Sequence, residues 1–202
     1  MAAMASMTPS GAAAGLTLVG VGPGDPQLLT VAAVQAIEAA AVVAYPVARE
    51  GAAGMAATIA APWIRAEHRR LPLLFPMVSE AAPRIAAWHA ASDALAALVM
   101  AGETVVLLCE GDASLFASCS YVLLDLAARY PDCPVRVIPG ITSVAAAAAA
   151  ATEVGLSWPL ALQGEGLLVR PTPDTPDGLE ALLDWAATTQ TTLALLKLGH
   201  RW

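Results

Sequence analysis

Basic side chains are scarce in this chain. Lys and Arg together number 10 against 17 Asp and Glu, giving a formal net charge of −7 over 202 residues. Nucleic-acid binding needs cations spaced along the phosphate backbone, so that partner class is not expected. Cysteine is equally sparse: Cys109, Cys119 and Cys133 are odd in number and form no C-x-x-C pair. That pattern fits reduced thiols, used as small buried hydrophobes, better than a disulfide framework or a zinc site. His, Cys and carboxylates gather nowhere at metal-ligand spacing, so no metal is expected.

Long apolar spans are missing too. The uncharged stretch 137–152 opens on Pro139-Gly140 and falls short of the ~20 residues a bilayer requires. Residues 1–24 carry no charge, yet no basic region precedes an apolar core, so they do not read as a signal peptide. Residues 1–15 read instead as a flexible leader, and a cytoplasmic protein without membrane attachment is expected. The hydrophobic fraction of 57% is inflated by alanine, which contributes little burial energy, but it suffices for a core.

What is present is an alternation of short apolar runs with helical segments. Strands are expected over 16–21, 42–45, 71–75, 104–109, 135–138, 160–163, 167–169 and 192–197. Helices are expected over 30–41, 53–61, 80–101, from just after Asp112 to about Tyr130, 142–151 and 177–187. Thr30 is placed to cap the first helix and Gly102 to close the third. Such alternation predicts an α/β fold built on parallel strands, with a boundary near Pro139 between an N-terminal domain, 16–138, and a smaller C-terminal one, 139–202.

Three glycine-bearing loops each follow an apolar strand: Gly20-Val21-Gly22-Pro23-Gly24-Asp25, Glu110-Gly111-Asp112 and Pro139-Gly140-Ile141-Thr142-Ser143. Ligands of open parallel sheets bind beyond the carboxyl ends of the strands, where glycine lets the backbone approach them closely. The spacing does not fit a dinucleotide fingerprint, because the glycines alternate, Pro23 interrupts them, and the next strand ends in Tyr45-Pro46 without a carboxylate. No Gly-Lys-Ser/Thr follows any of the loops, so a P-loop is also excluded.

The order Val19-Gly20-Val21-Gly22-Pro23-Gly24-Asp25, Leu28-Leu29-Thr30, Tyr45-Pro46, Cys109-Glu110-Gly111-Asp112 and Ile138-Pro139-Gly140-Ile141-Thr142-Ser143 resembles the tetrapyrrole (corrin and porphyrin) methylase family. Phe75-Pro76-Met77, Cys109-Glu110-Gly111-Asp112 and Leu196-Lys197-Leu198-Gly199 look most like its branch that methylates C20 of precorrin-2. The resemblance implies two α/β domains with a cofactor cleft between them, a homodimer, and S-adenosylmethionine as cofactor. Cofactor contacts implied by it are Pro23, Glu110, Gly111, Asp112, Leu115, Thr142, Ser143 and Leu198. The substrate implied is precorrin-2, whose carboxylates call for cations: Arg49, or the basic cluster Arg65, His68, Arg69 and Arg70. No catalytic base is assigned, Glu110 and His89 being the candidates raised.

Asp112 has two readings, a ligand for the ribose or methionine amine and a cap for the following helix. Asp25 shares that ambiguity. Relatives of this type continue for some tens of residues past the Lys-x-Gly segment, so the closing strands of the second domain are expected to be lacking. The family's Pro-Leu-Phe-Tyr-Gly stretch is replaced by Ala113-Ser114-Leu115-Phe116-Ala117-Ser118. Alternatives left open are a tetrapyrrole methylase acting on cobalt-factor II or another ring carbon, and a truncated remnant that binds cofactor without turnover.

Overall fold

A computed structural model describes residues 14–155 and 159–199. The expected leader lies almost wholly outside the described residues, as do His200, Arg201 and Trp202. The chain divides into two compact units, Met1–Ser143 and Val144–Trp202.

In the first unit the strands are β1 (Gly15–Gly20), β2 (Val42–Val47), β3 (Arg69–Leu74), β4 (Thr104–Cys109) and β5 (Val135–Ile138). They form one parallel sheet in the order β3-β2-β4-β1-β5. Helices α1 (Val31–Ala39), α2 (Met55–Ile59), α3 (Ala81–Met100) and α4 (Cys119–Arg129) lie along the chain between them.

Side chains of β1, β2 and β4 alternate between two cores. Leu16, Leu18, Val42, Ala44, Val105, Leu107 and Cys109 pack with Leu95 and Val99 of α3 and Val122 and Leu126 of α4. Val19, Val43, Val106 and Leu108 pack with Ala33 and Ile37 of α1 and Ala56 and Ile59 of α2. Helices therefore cover both faces, which is why these strands read as unbroken apolar runs instead of alternating ones.

Local chemistry sets the helix ends. Thr30 accepts a hydrogen bond from the Ala33 N–H at 3.1 Å, capping α1 as expected. At the end of α3, Gly102 takes φ +90°, its N–H donates to the Val99 carbonyl and the Glu103 N–H reaches the Leu98 carbonyl. That pair of bonds is the Schellman arrangement, which satisfies two otherwise orphan carbonyls. One expectation fails: no helix starts after Asp112, because residues 113–118 form turns and α4 opens only at Cys119.

The second unit holds most of α5 (Ser143–Glu153), then β6 (Gly166–Pro171), α6 (Pro176–Thr189) and β7 (Thr191–Leu196), with β6 and β7 parallel. Thr175 caps α6 by accepting from the Gly178 N–H, and Pro176 stands at its first turn. The strand expected over 160–163 is a turn instead. There the Leu162 N–H donates to the Glu165 carboxylate at 2.8 Å and the Glu165 N–H donates back to the Leu162 carbonyl at 2.8 Å. A side chain that satisfies the backbone locally competes with a sheet ladder.

Candidate functional site

The loops after β1, β4 and β5 start side by side because those strands are neighbours. Gly20 is in register with Cys109, and Val19 with Ile138. The helices after β1 and β4 lie on opposite faces of the sheet, α1 with the second core and α4 with the first. Adjacent strands whose connections diverge in this way leave a crevice at their carboxyl ends, the usual ligand position in open α/β sheets.

Backbone contacts join the loops into a single frame. Gly22 and Gly111 exchange hydrogen bonds, N–H to carbonyl, at 3.1 and 2.8 Å. A Cβ on Gly20 would lie 2.6 Å from the Gly140 nitrogen, and one on Gly140 would lie 2.2 Å from the Gly111 oxygen. No other residue fits at either position, since real Cβ atoms do not approach backbone that closely. Gly111 differs: it adopts φ +65°, and nothing lies within 4 Å of its Cβ position. Its open side leaves the backbone accessible, as a cradle for a bound cofactor requires.

Asp112 is buried at the centre of this frame. Its Oδ1 accepts the Ser114 N–H at 2.8 Å and also the Ser114 hydroxyl, while its Oδ2 accepts the Gly140 N–H at 2.9 Å. Burial opposes the charge, but bonds from the Ser114 hydroxyl and the Ser114, Gly140 and Ala113 N–H groups together outweigh it and hold the carboxyl below the usual range. The capping reading needs correction. Asp112 caps a turn at Ser114 and not the following helix, whose N-cap residue is Ser118.

Around the frame stand the other residues singled out in the sequence. Pro23 is half-buried, and Asp25 spends its carboxylate on the Gln27 N–H at 2.8 Å, capping the short 3-10 turn Pro26–Leu28. Glu110 reaches solvent at the rim, yet partial desolvation among the loops raises its carboxyl. Leu115 is half-buried with its N–H on the Asp112 carbonyl at 3.3 Å. Thr142 is half-buried and immediately precedes α5, which Ser143 opens. Leu198 follows β7 in the second unit and is exposed.

Two of the charged candidates lie away from the glycine loops. Arg69 and Arg70 open β3, so the basic cluster lies at the amino edge of the sheet, away from the glycine loops by roughly the 17–20 Å length of a strand. Its members are also engaged: Arg65 pairs with Glu38 at 2.7 Å, Arg69 with Glu103 at 3.2 Å, and buried His68 accepts the Arg65 N–H through Nδ1. His89 is likewise spent elsewhere, with Nε2 3.3 Å from Asp125 in an ion cluster of α3 and α4. Arg49, by contrast, follows β2 at the carboxyl edge, is exposed, and makes no ion pair among the described residues.

Sequence reasoning missed Ser114 and the tie it completes through Asp112 to Gly140. The signal was available, because Asp-x-Ser after a strand is the pattern of an Asx turn. Phe116 was missed as well: it is exposed and holds φ 54°, a left-handed conformation unusual for an aromatic residue.

Comparison with known proteins gives this frame a context. Precorrin-2 C(20)-methyltransferase of Sinorhizobium sp is 38% identical over 134 residues, which are 62% of this chain and 53% of that protein. Cobalt-precorrin-2 C(20)-methyltransferase of Salmonella typhimurium is 31% identical over 156 residues, covering 76% of this chain and 62% of its own length. The chain thus spans little more than half the length of these relatives. Among solved structures, the cobalt precorrin-4 methyltransferase CbiF superposes with a TM-score of 0.62 at 26% identity, over 96% of this chain and 72% of that one. Uroporphyrin-III C-methyl transferase of Thermus thermophilus, solved with S-adenosyl homocysteine, gives 0.51 at 25% identity, over 79% and 57%. The family model for Tetrapyrrole (Corrin/Porphyrin) Methylases matches residues 15–202, and this chain, with its three interlocked glycine loops, belongs to that family.

Proposed function

We propose that this chain binds S-adenosylmethionine at the carboxyl edge of β4, β1 and β5 and takes part in methylating C20 of precorrin-2 in cobalamin biosynthesis. The observation that carries the reading is the fusion of three loops into one glycine-lined backbone frame, in a family member 38% identical to a protein of that name. Pro23, Glu110, Gly111, Asp112, Leu115, Thr142, Ser143 and Leu198 are the residues proposed to surround the cofactor. The cofactor, when bound, supplies an electrophilic methyl group on a sulfonium.

The chain's own task is positional. The reacting ring carbon is already electron-rich in a partly reduced tetrapyrrole, so the protein has chiefly to fix distance and alignment, an effect worth up to about 7–11 kcal/mol of barrier. A frame tied by backbone bonds suits that task, because it holds its donors and acceptors without reorganisation. Arg49, which makes no ion pair among the described residues and lies at the same edge, is proposed to pair with a substrate carboxylate. We further propose a homodimer acting in the cytoplasm; sedimentation of the purified protein measures the first.

Incubation of the protein with precorrin-2 and methyl-labelled S-adenosylmethionine tests the assignment. Label at C20 supports it, whereas cofactor binding without product leaves only the binding half. The structural likeness to a cobalt precorrin-4 methyltransferase over 96% of the chain favours a second reading, a family member acting on a cobalt-containing tetrapyrrole or another ring carbon. Running cobalt-precorrin-2 and a precorrin-4 species in parallel separates the two. Arg49→Ala is expected to raise the substrate KM by up to about fivefold, the scale of an exposed ion pair, with cofactor affinity unchanged. An unaltered KM removes Arg49 from the site.

A further inference from the structure

We propose that Asp112 is a positioning residue: its carboxylate clamps the loop after β5 to the loop after β4, holding Gly140 where a cofactor can be met. The inference rests on the cofactor reading above and adds the part that Asp112 plays in the ligand-free frame.

Three observations carry it. The first is capacity. A carboxylate offers about four acceptor positions. Asp112 has committed Oδ1 to the Ser114 N–H and hydroxyl and Oδ2 to the Gly140 N–H. Three of the four are therefore spent inside the frame, on both loops at once.

The second is burial. The residue is 8% exposed, so a backbone N–H released by its carboxylate would be left in a place that water reaches poorly. The third is the contrast between the two seams of the frame. Loops one and two are sewn by the Gly22–Gly111 backbone exchange, which no side-chain substitution removes. Between loops two and three, a side chain makes the tie from Asp112 to Gly140. Pro139 bears no N–H, so the Gly140 amide is the first backbone donor after β5, and fixing it fixes the start of Ile141-Thr142-Ser143.

Asp112→Asn tests this in the full chain. The asparagine keeps the size and one acceptor oxygen, so it can serve Ser114 or Gly140 but not both. Amide hydrogen exchange of Gly140 is followed in ligand-free protein, together with the affinity for S-adenosylhomocysteine by calorimetry and the urea midpoint. The clamp predicts faster Gly140 exchange without ligand, unchanged exchange in the middle of β4, and S-adenosylhomocysteine affinity weakened about ten- to a hundredfold, as expected for one charge-assisted bond.

Unchanged Gly140 exchange overturns the proposal, whether or not affinity falls. So does faster Gly140 exchange with unaltered affinity. Ser114→Ala is the second variant, used if Asp112→Asn does not fold: it releases Oδ1 from the hydroxyl and is expected to quicken Gly140 exchange in the same direction, and no change at Gly140 counts against the clamp. Should wild-type protein fail to bind S-adenosylhomocysteine, the cofactor reading falls, while the ligand-free exchange measurement still decides whether Asp112 ties the loops.

Discussion

Gly111 and Gly140 belong to the same frame yet respond to an added methyl group for different reasons. At Gly140 the new Cβ would stand 2.2 Å from the Gly111 oxygen and 2.8 Å from the Gly20 carbonyl carbon, both backbone atoms that cannot swing aside. Gly140→Ala is expected to cost about 3 kcal/mol or more, at the upper end of overpacking penalties. Gly111→Ala meets no atom within 4 Å, and its cost is the strain of φ +65° alone, about 1 kcal/mol. Urea unfolding of both variants measures the difference, and equal midpoints would mean that the loops are not pressed together as described. The residue scale is also where sequence reading was least complete. It marked Asp112 as important without the third loop, because a bond between residues 28 positions apart leaves no trace in local pattern.

At the scale of elements, α3 and α4 are joined by a surface ion cluster. Arg129 bridges Asp93 and Asp125 at 2.6 Å each, the Tyr130 hydroxyl donates to Asp93 at 2.7 Å, and Trp88 stacks on Tyr121 with ring centroids 4.2 Å apart. Bonds from Tyr130 and Arg129 lower the Asp93 carboxyl, and Arg129 lowers that of Asp125. A carboxyl depressed in the folded state stabilises it fully above the unfolded pKa near 3.9 and loses that contribution as pH falls through the folded value. Acid should therefore loosen this helix pair below about pH 4, and Arg129→Met should flatten the pH dependence of the urea midpoint between about pH 5 and 2. An unchanged profile would show the cluster to be solvated and idle, as exposed pairs often are. An element with two-sided burial was legible from sequence: β4 falls where its apolar run puts it, β5 falls where expected although three of its four residues are exposed, and Thr30 and Gly102 mark helix ends. Elements decided by a side chain bonding its own neighbourhood were not. Asp112 delays α4 through Ser114, and Glu165 folds 160–163 into a turn, although both segments carry apolar residues in the right density.

Across the whole molecule, the two units differ in how much of themselves they bury. The first encloses its central strands between two helical layers, with Leu18 and Leu107 at 1% and 0% exposure. In the second, β6 and β7 form a two-stranded sheet, every residue of β7 is half-exposed, and Leu167, Leu183 and Trp185 face solvent within the described residues. Two strands alone are marginal in water, and the apolar area removed from solvent sets the stabilisation at about 25 cal/mol per Å². Hydrogen exchange is therefore expected to split the chain. Amides at the centre of β1 and β4 should exchange only through global unfolding, while those of Leu193 and Leu195 in β7 should exchange through a cheaper opening that leaves the first unit folded. Titration with S-adenosylhomocysteine gives the comparison its functional edge. Protection that rises in the loops after β1, β4 and β5 but not in β7 locates the ligand's stabilisation in the first unit, and a parallel rise in β7 shows that binding orders both. Equal protection of β4 and β7 without ligand would refute the division, because it would require the two units to open as one cooperative block.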